Sequence, residues 1–228
     1  MDGPVVIDRV VTARGELVLR RDQEHFEVIS NGVFLMDTRN GESERRLVRE
    51  ALSRAAKPRG VLIGGLGVGF SLVEALSDER VARVTVVEIE RRIVEWHDKY
   101  LQAITGKART DERTEIVIAD IAEVLRSGEQ HFDAICLDID NGPDWTVTDA
   151  NTGLYGDEGT ALLASRLRPG GVLTVWSAAR SSAYQQVLAR HFGKVEVMEI
   201  PVPRGEPDVV FAATSAVAQT LGRDSDSS

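Results

Sequence analysis

Apolar positions along this chain follow two different rhythms. From Gly15 to Glu42, short runs rich in Val, Leu, Phe and Ile are broken by turn signals at Arg21-Asp22-Gln23 and Asn31-Gly32. That pattern predicts two or three short antiparallel strands over Glu16 to Met36. Ser43 then reads as the N-cap of a helix in ERRLVREALSRAA, where Leu47, Ala51 and Leu52 share one face and Pro58 marks the stop. From Arg59 the rhythm changes. Near-continuous apolar runs (GVLIG, VTVVEI, TEIVIAD, FDAICLDI, GGVLTVW) alternate with helical stretches at Gly69 to Ser77, Glu90 to Leu101, Ile121 to Arg126, Glu158 to Leu167 and Ser182 to His191. Strands apolar on both faces belong to a parallel sheet covered by helices on both sides, so the expected class is α/β, doubly wound and Rossmann-like. Two further strands, VEVMEIPV and DVVFAAT, flank the turn Pro203-Arg204-Gly205-Glu206-Pro207 and predict a C-terminal antiparallel hairpin. The expected organisation is a small N-terminal β segment over residues 1–41, an α/β domain over 42–216 and a disordered polar tail over 217–228.

Composition narrows the class. With 228 residues, 43% of them hydrophobic, the chain can bury a sizeable core. No apolar stretch approaches the roughly 18 residues of a membrane span, and the first twelve residues lack the features of a secretory signal. A cytoplasmic location is the expectation, which the single cysteine, Cys136, suits; set in the apolar run FDAICLDI, it reads as a buried, inert thiol. The net charge of −9 argues against a nucleic-acid partner and is compatible with a cationic small substrate.

The segment VLIGGLGVGF, Val61 to Phe70, reads as strand, tight turn and helix, and its spacing separates possible ligands. A dinucleotide fingerprint needs G-x-G-x-x-G, but counting from Gly65 and Gly67 the third position is Phe70. A phosphate loop fails too, for want of Gly-Lys-Ser/Thr. What fits is G-x-G-x-G through Gly65, Gly67 and Gly69. Glu88 closes the second strand, where a carboxylate can accept both hydroxyls of a ribose. Ile89 is placed to lie against an adenine face, with Asp120 and Ile121 at the next strand end to meet the adenine and its amino group. One adenine, one ribose and no phosphate clamp together point to an adenosyl sulfonium compound.

These residues carry a resemblance. VLIGGLGVGF, VTVVEIERRIVEWHDKYL, IVIADIAEVL, FDAICLDIDNGP and LRPGGVLTV are similar to the class I S-adenosylmethionine-dependent fold and, within it, to the spermidine synthases, over about Gly15 to Thr214. The resemblance implies a seven-stranded, mostly parallel sheet and a homodimer or larger assembly. It further implies transfer of an aminopropyl group from decarboxylated S-adenosylmethionine to a small-molecule amine, without a metal. Gly65, Gly67, Gly69, Glu88 and Asp120 would hold the donor, and Asp138 would be the catalytic acid. Three positions depart from the family pattern: Val68 stands where the glycine loop has an aspartate, Asn141 where the strand end has a second acid, and GESERRL where a Tyr-His-Glu stretch is expected.

Those departures keep two other readings open: a methyltransferase using S-adenosylmethionine itself on an unknown small substrate, and a non-catalytic adenosyl-binding module. Asp140 and Asn141 are the candidate acceptor-binding residues of the strand end. Trp145 and Tyr155 join them from the long loop NGPDWTVTDANTGLYGDEG, whose acids Asp144, Asp149, Asp157 and Glu158 would give its rim a negative potential. The histidines, His25, His97, His131 and His191, show no metal-ligand spacing and receive no role.

Overall fold

A computed structural model describes residues 3–139, 141–144, 149–202 and 205–215. The chain opens with a four-stranded antiparallel sheet in sequential order, β1 (Val5–Thr12), β2 (Gly15–Asp22), β3 (His25–Ser30) and β4 (Val33–Asp37). One helix, α1 (Glu42–Arg54), leads into the larger unit: β5 (Gly60–Gly64), α2 (Phe70–Ser77), β6 (Arg83–Glu88), α3 (Arg91–Lys99), α4 (Gln102–Thr105) and β7 (Thr114–Ile118). It continues with α5 (Ile121–Ser127), β8 (Phe132–Leu137), α6 (Asp149–Tyr155), α7 (Asp157–Ser165), β9 (Leu167–Ser177), α8 (Ser182–His191), β10 (Lys194–Ile200) and β11 (Asp208–Thr214).

These strands make a seven-stranded sheet in the order β10-β11-β9-β8-β5-β6-β7. β7, β6, β5, β8 and β9 run parallel, whereas β11 runs antiparallel to both β9 and β10. Alternation along the strands builds the two layers. In β5, Val61 and Ile63 face a core formed with α1, α2 and α3, while Leu62 faces a second core formed with α5, α7 and α8. Leu17, Leu19 and Val28 of the N-terminal sheet join the first of these cores. The small sheet is therefore packed onto the α/β unit, and polar tethers add to this: Trp96 Nε1 of α3 donates to Asp8 of β1 at 2.8 Å. Among the described residues no helix is long and apolar enough to cross a membrane.

Local departures from the sequence reading have identifiable causes. The N-terminal segment holds four strands, because β1, an edge strand, was not distinguishable: its pairing with β2 shifts register between Val6 and Asp8, and Val5, Val6 and Val11 are exposed. α1 starts at Glu42 behind Gly41, and the expected cap Ser43 lies inside the first turn, its hydroxyl donating to Asp208 at 2.5 Å. The helix expected over Glu158 to Leu167 ends at Ser165, since Leu167 pairs with Phe132 as the first residue of β9. The long loop after β8 contains α6, which buries Leu154 and Tyr155.

Candidate active site

In an open α/β sheet, ligands bind beyond the strand ends where the strand order reverses. Here that point lies between β5 and β8. The Asp138 N–H donates to the Gly64 carbonyl and the Gly65 N–H to the Val87 carbonyl, both at 2.9 Å, so the ends of β8, β5 and β6 are stitched side by side. Gly65 turns with φ +88°, and a β-carbon there would come within 2.2 Å of the Asp138 carbonyl oxygen. Only glycine lets the loop pass so close to β8.

Glu88 ends β6 and is buried; its carboxylate accepts the N–H groups of Leu66 at 2.9 Å and Glu90 at 2.7 Å. Burial raises its pKa above the usual carboxylate range, against the pull of those backbone donors. It lines a narrow cleft of about 140 Å3 together with Gly65, Gly67, Ile89 and Ile121. The N-terminal sheet closes that cleft through Leu17, Ser30 and Asn31. It is fastened there because Arg14 donates to the Glu90 carboxylate at 2.6 Å and to the Ile89 carbonyl at 2.7 Å. Asp120 caps α5, accepting the Ala122 N–H at 2.7 Å, and its neighbours Ala119 and Ile121 line the cleft. A glycine cradle, a buried strand-end carboxylate and an apolar wall fit an adenosyl group.

A second cleft of about 980 Å3 adjoins the first, and the two share Gly67, Asp138 and Ile139. Its walls include Phe34, Phe70 and Trp176, with Val68, Gly69 and Asn141 also facing it. Four carboxylates line it: Asp37 at the end of β4, which is paired with Arg39 of the same wall at 2.7 Å, Glu44 from the first turn of α1, Asp138 from the end of β8 and Asp208 from the start of β11. Among the described residues Glu44, Asp138 and Asp208 form no ion pair with Lys, Arg or His; Asp208 has the Ser43 hydroxyl. Burial, then the charges of Asp208 and Glu88, pushes the Asp138 pKa well above the usual range. Glu44 is raised in the same way, by burial and then by Asp138, with Asp208 adding to it. Carboxylates that raise one another and lack an ion-pair partner are stabilised by a cation that enters, and a group poised nearer neutrality can take a proton from an amine.

The structure places the residues singled out in the sequence as follows. Gly65, Gly67, Glu88, Ile89 and Ile121 line the narrow cleft, and Asp138 stands at the junction of the two. Asp140 and Trp145 lie outside the described residues. Tyr155 is a correction: it is buried and stacks edge-on against Tyr184, centroids 5.6 Å apart, in the core beneath α6, away from both clefts. Asp157, expected on a negative rim, is paired with Arg190 at 2.8 Å. Cys136 is fully buried, which pushes its thiol up to about 12 and leaves it inert. Glu44 and Asp208 were missed. Glu44 is one of two acids in a helical first turn, where the helix dipole is explanation enough; Asp208 is a single acid opening an apolar run, with no local signal.

Comparison with known proteins agrees with this geometry. Residues 42–197, more than half of the chain, match the family model described as the spermine/spermidine synthase domain. Polyamine aminopropyltransferase 2 of Pseudomonas aeruginosa is 34% identical over 145 residues, covering 60% of this chain and 40% of that protein. Polyamine aminopropyltransferase 1 of Hyperthermus butylicus is 32% identical over 156 residues, covering 66% and 51%. The chain thus spans about half the length, or less, of these two curated relatives. The crystal structure of a spermidine synthase in complex with the transition-state analogue AdoDATO superposes with a TM-score of 0.79 at 20% identity, over 93% of this chain and 74% of that one. Spermidine synthase from Thermotoga maritima gives 0.76 at 19%, over 93% and 73%. At such identities the structural likeness is one of fold.

Proposed function

The chain belongs to the spermine/spermidine synthase domain family, and from that premise we propose that it is a polyamine aminopropyltransferase, moving an aminopropyl group from decarboxylated S-adenosylmethionine to an amine acceptor. The observation that carries this reading is the carboxylate-lined cleft running into the glycine cradle at Asp138. In it Gly65, Gly67, Glu88 and Ile89 hold the adenosyl part of the donor in the narrow cleft, and the amine acceptor occupies the wide one. Glu44 and Asp208 receive positive charge there, in place of the loop acid that Val68 replaces. Exposed Val5, Val6 and Val11 on edge strand β1 support a homodimer.

The chemistry asked of the protein is modest. A free primary amine resembles lysine, with a pKa near ~10, so exposing its lone pair at neutral pH costs about 4 kcal/mol at ~1.4 per unit. Asp138, at the junction of the clefts, orients that amine and accepts its proton as the new C–N bond forms. The reacting carbon is already activated by the positive sulfur, which leaves as a neutral thioether. Holding amine and carbon in line therefore supplies most of the acceleration.

The test is to offer purified protein decarboxylated S-adenosylmethionine with a panel of amines and, separately, S-adenosylmethionine, following thioether products by mass spectrometry. Methylthioadenosine appearing together with an aminopropylated amine is the expected result. S-adenosylhomocysteine from the second donor would replace this reading with methyl transfer, and binding of neither donor would remove the adenosyl site. Glu88→Ala should weaken donor affinity about tenfold or more, as expected for loss of charge-assisted hydrogen bonds; unchanged affinity sinks its ribose role.

A further inference from the structure

His97 received no role from the sequence, yet it is the one histidine the fold places against the glycine loop. It sits on α3 and is 1% exposed. Its Nε2 lies 2.9 Å from the carbonyl oxygen of Gly67. A carbonyl only accepts, so the proton is on Nε2 and Nδ1 is the bare nitrogen; among the described residues Nδ1 has no hydrogen-bond partner. Burial lowers the imidazole pKa, with Arg109 adding in the same sense, so the ring is neutral in this setting. The same ring edge supports the end of the loop, since a β-carbon on Gly69 would meet Thr105 Cγ2 at 2.3 Å and His97 Cε1 at 3.1 Å. Gly67 itself has φ +53° and lines both clefts. Among the described residues no backbone N–H takes its carbonyl, and the imidazole is the group that holds that peptide.

We propose that His97 is a positioning residue for the donor: its Nε2–H anchors the Gly67 peptide at the junction of the two clefts and so sets the shape of the adenosyl cradle. The assignment rests on the aminopropyltransferase reading for the identity of the donor, and on the hydrogen bond for everything else. A buried neutral donor suits this task better than a charged one, because it satisfies the carbonyl without placing a cation beneath the sulfonium. The role is an orienting one. His97 does not line either cleft and does not touch the reacting atoms.

Two variants separate anchoring from packing. His97→Phe keeps an aromatic ring and deletes the hydrogen bond; His97→Gln keeps an N–H donor at comparable reach and deletes the ring. Titrated calorimetrically with methylthioadenosine, His97→Phe should bind about tenfold more weakly than the unaltered chain and His97→Gln within about threefold of it. In turnover assays the loss in His97→Phe should appear in the KM for the donor, with the KM for the amine unchanged. Equal affinity in His97→Phe and the unaltered chain overturns the assignment, as does equal loss in both variants, which would make the residue a packing element only. Failure of the unaltered chain to bind methylthioadenosine instead removes the donor reading itself, and this assignment with it. Nitrogen NMR of the unaltered chain needs no variant: the neutral Nε2–H tautomer should be seen and should shift on adding methylthioadenosine, and the opposite tautomer or an unmoved signal refutes the anchor.

Discussion

The N-terminal sheet and the wide cleft both contain buried or half-buried carboxylates, and the fold treats them in opposite ways. In the sheet each acid has a partner. Glu27 is buried and meets both Arg20 and Arg39, the latter at 2.7 Å, and Arg39 also reaches Asp22 and Asp37. Burial alone would raise Glu27, but the hydrogen bonds and charges of the two arginines outweigh it and hold its pKa below the ordinary range. Asp8 is likewise lowered, chiefly by the Trp96 indole N–H. In the cleft Glu44 is raised by burial and then by Asp138, and Asp138 by burial and then by Asp208 and Glu88, with no ion-pair partner for either among the described residues. Paired carboxylates hold the scaffold together, whereas unpaired ones hold electrostatic strain that an entering cation, such as the proposed amine, would relieve. The sign of the shift therefore separates structural acids from functional ones better than burial does.

Breaking the functional side should give the largest effect. Asp138→Asn is expected to lower turnover by about 10² to 10⁴, the usual worth of a general base, while donor affinity measured by calorimetry stays near that of the unaltered chain. Undiminished turnover would remove Asp138 from the mechanism. Breaking the structural side comes next. Glu27→Gln leaves two arginines without their buried partner and should cost about 1–2 kcal/mol in denaturant unfolding at neutral pH, discounted because both guanidinium groups are partly exposed. Since the folded-state pKa of Glu27 is depressed, its contribution exists above the unfolded value and is lost as pH falls through the lowered one. The difference between variant and parent should accordingly vanish in acid; a constant difference would show that packing, not charge, is being measured.

The smallest effect is the most diagnostic. The folded-state pKa of Glu44 is raised, so its stabilising share is complete below the unfolded value and is lost as pH rises through the raised one. Glu44→Gln should thus stabilise the protein by less than about 1 kcal/mol near pH 9 and leave it unchanged near pH ~3, below the unfolded value, in thermal melts. The same variant should raise the KM for a diamine. Destabilisation at the alkaline end would mean that Glu44 has a structural partner, and would erase the contrast between the two regions.

Much of the framework was legible in the chain. β5, β6, β8 and β9 are near-continuous apolar runs because both faces are covered, and no other element produces that signal at that length. The glycine loop, Glu88 and Asp138 were readable because each directly follows such a run, so a strand end fixes where the residue stands. β1 was not readable: an edge strand with a register shift and exposed valines carries no clean alternation. The burial of Tyr155 was not readable because its loop contains α6, whose buried face appears only when α7 and α8 pack against it.

The sequence by itself determined the buried strands, the turn that only glycine can make and the acids at strand ends, since each depends on residues within a few positions of one another. The tertiary structure decided which acids face each other. Strand β11 enters the sheet between β10 and β9, and this brings Asp208 to the first turn of α1, where Ser43, 165 residues away in the chain, donates to it. Toward the opposite edge of the sheet, the packing of α3 against β6 sets His97 beside Gly67. Charge repulsion and hydrogen bonding act through space, and local periodicity carries no record of neighbours that distant.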